Sequence, residues 1–195
     1  MYDWLPMKEK LRRILASRQK MSSGGGRLTE AGVLIPIFCK DKEYHILFTQ
    51  RSHQVPHHKG QVSFPGGARS QADSSLLDTA LRESWEEIGL EAEDVEIMGE
   101  LDDYATTSGF NVSPFVGFIP YPYEFRPNPY EIDDVFSVPV SVLLRKANGK
   151  QEQYTSGNQF FVNYSYEYDG RVIWGATAQI LQQLLEIWEL ASGAQ

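Results

Sequence analysis

The stretch from Gly60 to Leu90, GQVSFPGGARSQADSSLLDTALRESWEEIGL, constrains this chain more than any other. Its second half reads as a helix. Glu83 and Glu87 are four residues apart and Glu86 is three from Glu83, so all three share one helical face. Like charges stacked at that spacing destabilise a helix. A bound divalent cation would remove the cost, because hard cations such as Mg²⁺ take carboxylate oxygens and bring substrate phosphates as further ligands. On the other side Leu77, Ala80, Leu81, Ser84, Trp85 and Ile88 form an apolar stripe that suits docking onto a sheet. One face is therefore core and the other acid. Taken alone, three glutamates on a surface helix are usually a solvated face rather than a metal site. The flanks favour the metal. Phe64-Pro65-Gly66-Gly67 precedes the helix, and glycine lets a backbone turn tightly and approach a ligand. Gly89 is a natural C-cap, and Ser75-x-x-Asp78 is a variant capping box. The Ser84 hydroxyl can bond the carbonyl one turn back.

These residues resemble the Nudix box, G-x5-E-x7-R-E-U-x-E-E-x-G-U with U aliphatic. Arg82, Glu83, Glu86, Glu87, Gly89 and Leu90 match it position for position, and Ser84 stands where an aliphatic residue is expected. From Gly67 to Arg82 the chain is one residue longer than the pattern. The first acidic position falls on Asp73 counted forward, or on Ser74 counted back. That extension is similar to the coenzyme A pyrophosphatase branch of the Nudix hydrolases. So is a preceding segment, L-L-T-x-R-S-x3-R-x3-G-x3-F-P-G-G, represented here by Leu47 to Ser52 and Gly60 to Gly67. Pro56 occupies the place of its second arginine, and His58 fits a histidine common in that branch. The resemblance runs from about Gly32 to the C-terminal helix.

The resemblance implies an α/β fold, an α/β/α sandwich around a mixed β-sheet. It implies Mg²⁺ or Mn²⁺ as cofactor and hydrolysis of a nucleoside diphosphate linked to another group. In those terms Glu83 and Glu87 are the principal metal ligands. Glu86 is a third ligand or the base, and the Gly67 carbonyl completes the metal's shell. Arg82, four residues from Glu86, holds a glutamate in place or makes a plain helix salt bridge, two compatible roles. Glu131 begins a strand after a long loop; it is a second candidate for the base and equally an exposed strand-end acid. Arg51, Ser52, His58, Lys59 and Gly66 are candidate substrate contacts.

A chain of 195 residues suits one domain with one core. We expect a single Nudix hydrolase domain over 1–195, with an N-terminal helix over 1–20 and a flexible link over 21–27. The net charge of −8, from 18 basic and 26 acidic residues, argues against a general nucleic-acid binder, which needs a basic footprint. A phosphorylated substrate stays compatible, since metal ions supply local positive charge. No apolar run reaches the length of a membrane span. The N-terminus has no signal-like apolar centre. Cys39, the single cysteine, excludes an intrachain disulfide and reads as a small core residue. Together these predict a cytoplasmic protein.

Leu5, Leu11, Ile14 and Leu15 against Lys8, Lys10, Arg12 and Arg13 predict an amphipathic packing helix over 3–20. Strands are expected at Ala31–Phe38, Tyr44–Thr49, Gln61–Phe64, Val95–Leu101, Asn111–Ile119, Glu131–Val138 and Arg171–Trp174. Residues 153–168 alternate aromatic and polar side chains, and Asp169-Gly170 is a hairpin turn signal. Pro139 opens a short helix to Leu144, and Gly175–Leu190 is the last helix. The loop from Gln50 to Lys59 carries His53, His57 and His58. Their spacing is not that of a zinc site, and an anionic substrate is the better partner. The proline-rich Pro120–Pro129 segment is a candidate wall for a substrate base or a contact in a homodimer. Three functions compete: coenzyme A or acyl-CoA pyrophosphatase, a Nudix hydrolase of ADP-ribose, NADH or a damaged nucleotide, and a non-catalytic ligand sensor. The intact metal face argues against the sensor, and Arg51-Ser52 with the Gly60–Gly67 segment favours the first.

Overall fold

Strand β1 (Thr29–Lys40) is the axis on which the molecule is built. The computed structural model describes residues 4–22, 28–55, 58–145, 149–156 and 159–193. The link predicted over 21–27 therefore falls mostly outside the described residues, as do Pro56 and His57. Strand β1 alternates its side chains between two cores, as the period of a strand requires. Ala31, Ile35 and Ile37 enter one apolar cluster, while Leu34 and Phe38 enter the other. A run buried on both faces is the signature of a central strand.

Around β1 lie β2 (Glu43–Arg51), β3 (Val62–Ser63), β4 (Gly66–Ala68), β5 (Glu96–Glu100), β6 (Tyr104–Ala105), β7 (Phe110–Phe118) and β8 (Ile132–Pro139). The sheet path is β3-β2-β1-β7-β5, with β4 on β1, β6 on β7 and β8 on β2. Among the described residues only β1 and β7 pair in parallel, so the sheet is mixed as expected. Helix α2 (Leu76–Ile88) covers one face through Ala80 and Ile88. Helices α1 (Trp4–Ser17) and α4 (Gly175–Ser192) cover the other through Leu11, Leu15, Leu181 and Leu184. A short α3 (Val140–Leu143) follows β8.

A second sheet, β9 (Gly149–Ser156), β10 (Gln159–Tyr168) and β11 (Arg171–Ile173), shares the α4 core through Tyr166 and Ile173. The Asp169-Gly170 turn has positive φ at both residues, 49° and 74°, as a tight hairpin needs. Arg171 ties this sheet to β8, with Nη2 2.6 Å from Asp134 Oδ2 and its guanidinium 4.5 Å above the Phe136 ring.

Several expectations need correction. The glycines at 66 and 67 form a strand beside β1 rather than a free loop. A two-residue strand, β6, interrupts the polar stretch after Leu101. In the alternating segment, residues 153–156 belong to β9 and residues 159–168 to β10, and the two strands pair antiparallel. Cys39 is only half-buried, near the end of β1, where the strand pairs with Tyr44 in the approach to the turn. No helix is long and apolar enough to cross a membrane, among the described residues.

Candidate active site

Helix α2 starts where Ser75 Oγ accepts the Asp78 N–H at 3.1 Å and ends where Gly89 enters the left-handed region at φ 67°. Ser84 Oγ donates to the Ala80 carbonyl at 2.7 Å, which satisfies the hydroxyl inside the core. The helix is rotated from the predicted division of faces. Thr79, Ala80, Ser84, Glu87 and Ile88 are buried, while Trp85 is 52 % exposed. The cause is a close approach at β1. A Cβ on Gly32 would stand 2.2 Å from the Leu76 carbonyl oxygen, so the helix backbone rests directly on the strand there. Glu87 is thereby turned under the helix, and Trp85 is turned out to donate to Glu91 at 3.2 Å.

Glu87 is 1 % exposed. Its Oε2 accepts the Gly66 N–H at 3.2 Å and its Oε1 accepts from Arg51 Nη1 at 3.3 Å. Burial pushes its pKa up to about 8; Arg51 and the Gly66 N–H pull against that, while the charges of Glu83 and Glu131 add to it. Glu83 is raised by burial too, with Arg82 opposing. Its carboxylate lies over Gly67: a Cβ there would meet the Glu83 carboxyl carbon at 2.5 Å. Glycine at 67 is thus what lets the Glu83 carboxylate close on β4 beside Glu87, which is held by the Gly66 N–H. Glu86 is exposed and points to Arg82.

Arg82 organises the acids. Its Nη1 donates to Glu83 Oε1 at 2.8 Å and to Glu86 Oε2 at 3.0 Å. Its Nε and Nη2 grip Asp73 at 2.9 and 3.0 Å, and Nη2 reaches the Ala68 carbonyl at 3.3 Å. Asp73 also accepts from Ser70 N–H at 2.8 Å and Thr79 Oγ1 at 2.9 Å. The first acidic position of the box is therefore Asp73, not Ser74, and the extra residue is absorbed in the turn before α2. The Arg82 hydrogen bonds hold Asp73 well below the ordinary carboxylate value of 3.8. A depressed pKa contributes stability that is present above that value and lost as pH falls through the folded-state value. Asp73→Asn should accordingly lower Tm at pH 7, with the gap to the unsubstituted protein closing below about pH 4. Thermal melts across pH check this; an equal gap at pH 7 and pH 3 would contradict it.

The remaining candidates divide. Glu131 is half-buried beside Glu83 and Glu87, close enough that its charge raises both of them. Arg51 is committed to Glu87, yet its Nε is buried with no hydrogen-bond partner among the described residues. Ser52 does not face a substrate. It is fully buried, its Oγ accepts the Gln54 N–H at 3.1 Å, and its N–H donates to the Glu131 carbonyl at 2.7 Å. It shapes the loop and anchors Glu131. The N–H of Gly66 is likewise spent on Glu87. Lys59 is exposed, and His58, also exposed, bonds Gln61 at 2.9 Å. Sequence reasoning left Asn128 unnoticed, although Asn-Pro before a strand is a turn signal. Its N–H donates to the Glu87 carbonyl at 2.9 Å and its amide to Glu131 Oε1 at 3.1 Å.

Among the described residues, no three His, Cys, Asp or Glu side chains stand arranged to hold a metal without moving. Arg51 and Arg82 act as the counter-ions instead. The donor set still fits a hard divalent cation. Two carboxylates with burial-raised pKa values flank the glycines of β4, where there is room for nothing larger, and positive charge there would relieve their mutual repulsion.

A family model described as NUDIX domain matches residues 28–157. The chain is 37 % identical over 156 residues to an uncharacterized Nudix hydrolase NudL of Photorhabdus laumondii, covering 80 % of this chain and 83 % of that one. It is 38 % identical over 156 residues to the NudL of Yersinia enterocolitica, covering 80 % of each. Among solved structures, a MutT/nudix family protein from Enterococcus faecalis superposes with a TM-score of 0.57 at 12 % identity, over 94 % of this chain and 73 % of that one. A Nudix hydrolase from M. Smegmatis, RenU, gives 0.50 at 21 % identity, over 64 % and 81 %.

Proposed function

This chain belongs to the Nudix hydrolase family, and within it we propose a divalent-metal-dependent pyrophosphatase of coenzyme A or acyl-CoA. The products are 3′,5′-ADP and 4′-phosphopantetheine or its acyl form. The observation that carries the reaction type is the convergence of Glu83 and Glu87 on Gly66 and Gly67 of β4, with Arg82 fixing the acids from behind. Glu83 and Glu87, with Glu86 and the Gly67 carbonyl, would hold Mg²⁺ or Mn²⁺. Such an ion, when bound, would supply charge neutralisation of the pyrophosphate and a more acidic water. Arg82 keeps Glu83 and Glu86 from swinging away. Glu131 is the base we favour, since Glu86 is exposed and paired to Arg82 while Glu131 is half-buried and fixed by Asn128.

The substrate rests on the resemblance of the Leu47–Ser52 and Gly60–Gly67 segments. Coenzyme A differs from ADP-ribose in its 3′-phosphate and pantetheine arm, and the phosphate calls for a cation. Arg69 is engaged with Glu30 at 2.8 Å, which leaves the exposed Lys59 and Arg126 as the stronger candidates for that role. Arg51, a quarter exposed beside Glu87, is the cation we assign to the pyrophosphate. Arg51→Ala should raise KM for CoA by about tenfold, the scale of a charge-assisted hydrogen bond, and by less for NADH. Steady-state kinetics on both substrates test it; an equal effect would make Arg51 a partner of Glu87 alone. The engagement of Arg51 by Glu87 also favours a second reading, a broader hydrolase of ADP-ribose, NADH or damaged nucleotides. Comparing CoA with 3′-dephospho-CoA separates the two: strong preference for CoA supports the first, and similar rates support the second.

A further inference from the structure

Asn128 sits in the loop between β7 and β8 with every polar group committed. Its main-chain N–H donates to the Glu87 carbonyl at 2.9 Å, at the C-terminal turn of α2. Its main-chain carbonyl accepts from Glu131 N–H at 3.0 Å and Ile132 N–H at 2.8 Å. Its side-chain Oδ1 accepts from Tyr130 N–H at 3.2 Å, and its Nδ2 donates to Glu131 Oε1 at 3.1 Å. The Tyr130 contact fixes the orientation of the amide, because a backbone N–H demands the oxygen on that side and turns the NH₂ toward Glu131. No other residue type of this size offers an acceptor on one side and a neutral donor on the other.

We infer that Asn128 is a positioning residue: its amide N–H holds the Glu131 carboxylate on the metal-helix side of the loop, where that carboxylate can take the proton of the attacking water. The inference rests on the reading of Glu131 as the base. Glu131 stands among like charges, with Glu83 and Glu87 both feeling its field. A free carboxylate there would rotate away from them toward solvent. A neutral donor restrains it without neutralising it, which a lysine or arginine at 128 would do. The backbone bonds of the same residue link that restraint to Glu87, so base and metal helix are held in one frame.

The test is a double-mutant cycle on the full chain at saturating Mg²⁺, with CoA as substrate, or ADP-ribose should that be the one cleaved. Asn128→Asp keeps the size and the acceptor for Tyr130 N–H but turns the donor into a second carboxylate. Glu131→Gln should lower kcat by about a hundredfold, the scale of general-base loss. Asn128→Asp should lower kcat by about tenfold or more with KM little changed and the thermal midpoint retained. In the double variant the new amide at 131 can donate to the new carboxylate at 128, so its kcat should be no lower than that of Glu131→Gln alone. A merely structural role would instead multiply the two losses, and that result overturns the inference. Wild-type kcat in Asn128→Asp, with Glu131→Gln slow, overturns it while leaving the base reading intact. Wild-type kcat in Glu131→Gln removes the base reading and the inference together. Should Asn128→Asp not fold, Asn128→Ser, which keeps a hydroxyl acceptor too short to reach Glu131, enters the same cycle with the same criteria.

Discussion

Glu87→Gln is expected to cut turnover by at least about a hundredfold, the scale on which enzymes lose rate when a key electrostatic group is removed. The fold should survive with its thermal midpoint little changed. The carboxylate is almost completely buried and its pKa is pushed up to about 8, so burying its charge costs stability that a neutral amide does not. The glutamine oxygen can still accept the Gly66 N–H, and Arg51, a quarter exposed, can turn to water. Activity and stability should therefore separate in this variant. Turnover near that of the unsubstituted enzyme at saturating Mg²⁺ would remove Glu87 from the metal face.

Gly32→Ala is expected to damage the scaffold severely for so small a substitution. The added methyl would stand 2.2 Å from the Leu76 carbonyl oxygen and 3.1 Å from the Ala80 nitrogen, both helix backbone atoms that cannot rotate aside. Helix α2 must lift off β1, and overpacking of this kind costs about 3 kcal/mol. For a chain of this size that is roughly 6–12 °C in thermal midpoint. Lifting the helix also moves Glu83 and Glu87 away from the glycines of β4, so kcat should fall with stability. Calorimetry with kinetics on one preparation reads both; an unchanged midpoint would mean that the helix does not rest on the strand.

Gly32 marks where the sequence stopped being legible. The helix, its Ser75 and Gly89 caps and the Ser84 hydroxyl bond were readable because each is local, set by residues within one or two turns. The division of its faces was not. It depends on a glycine more than forty residues upstream, which rotates Glu87 inward and Trp85 outward. The choice of Asp73 over Ser74 needed the same kind of knowledge, since counting gave both and only the position of the Arg82 guanidinium decides. Ser52 looked like a substrate contact because it neighbours Arg51, but β2 ends there and the serine turns into the loop beneath Glu131. Asn128 carried a turn signal whose target, Glu131, could be found only once the loop was folded back on α2. The mixed sheet followed from the family resemblance; periodicity by itself gave only mixed α and β, because the one parallel pairing among the described residues, β1 with β7, joins strands separated by the whole box.

The central claim is hydrolysis of the coenzyme A pyrophosphate, and one incubation tests it most directly. The protein is mixed with CoA, 3′-dephospho-CoA, ADP-ribose or NADH, each with Mg²⁺ or Mn²⁺, and the products are separated by mass. The account predicts 3′,5′-ADP and 4′-phosphopantetheine from CoA, at a rate above that of the other three substrates. Failure to release 3′,5′-ADP while ADP-ribose or NADH is readily cleaved would contradict it.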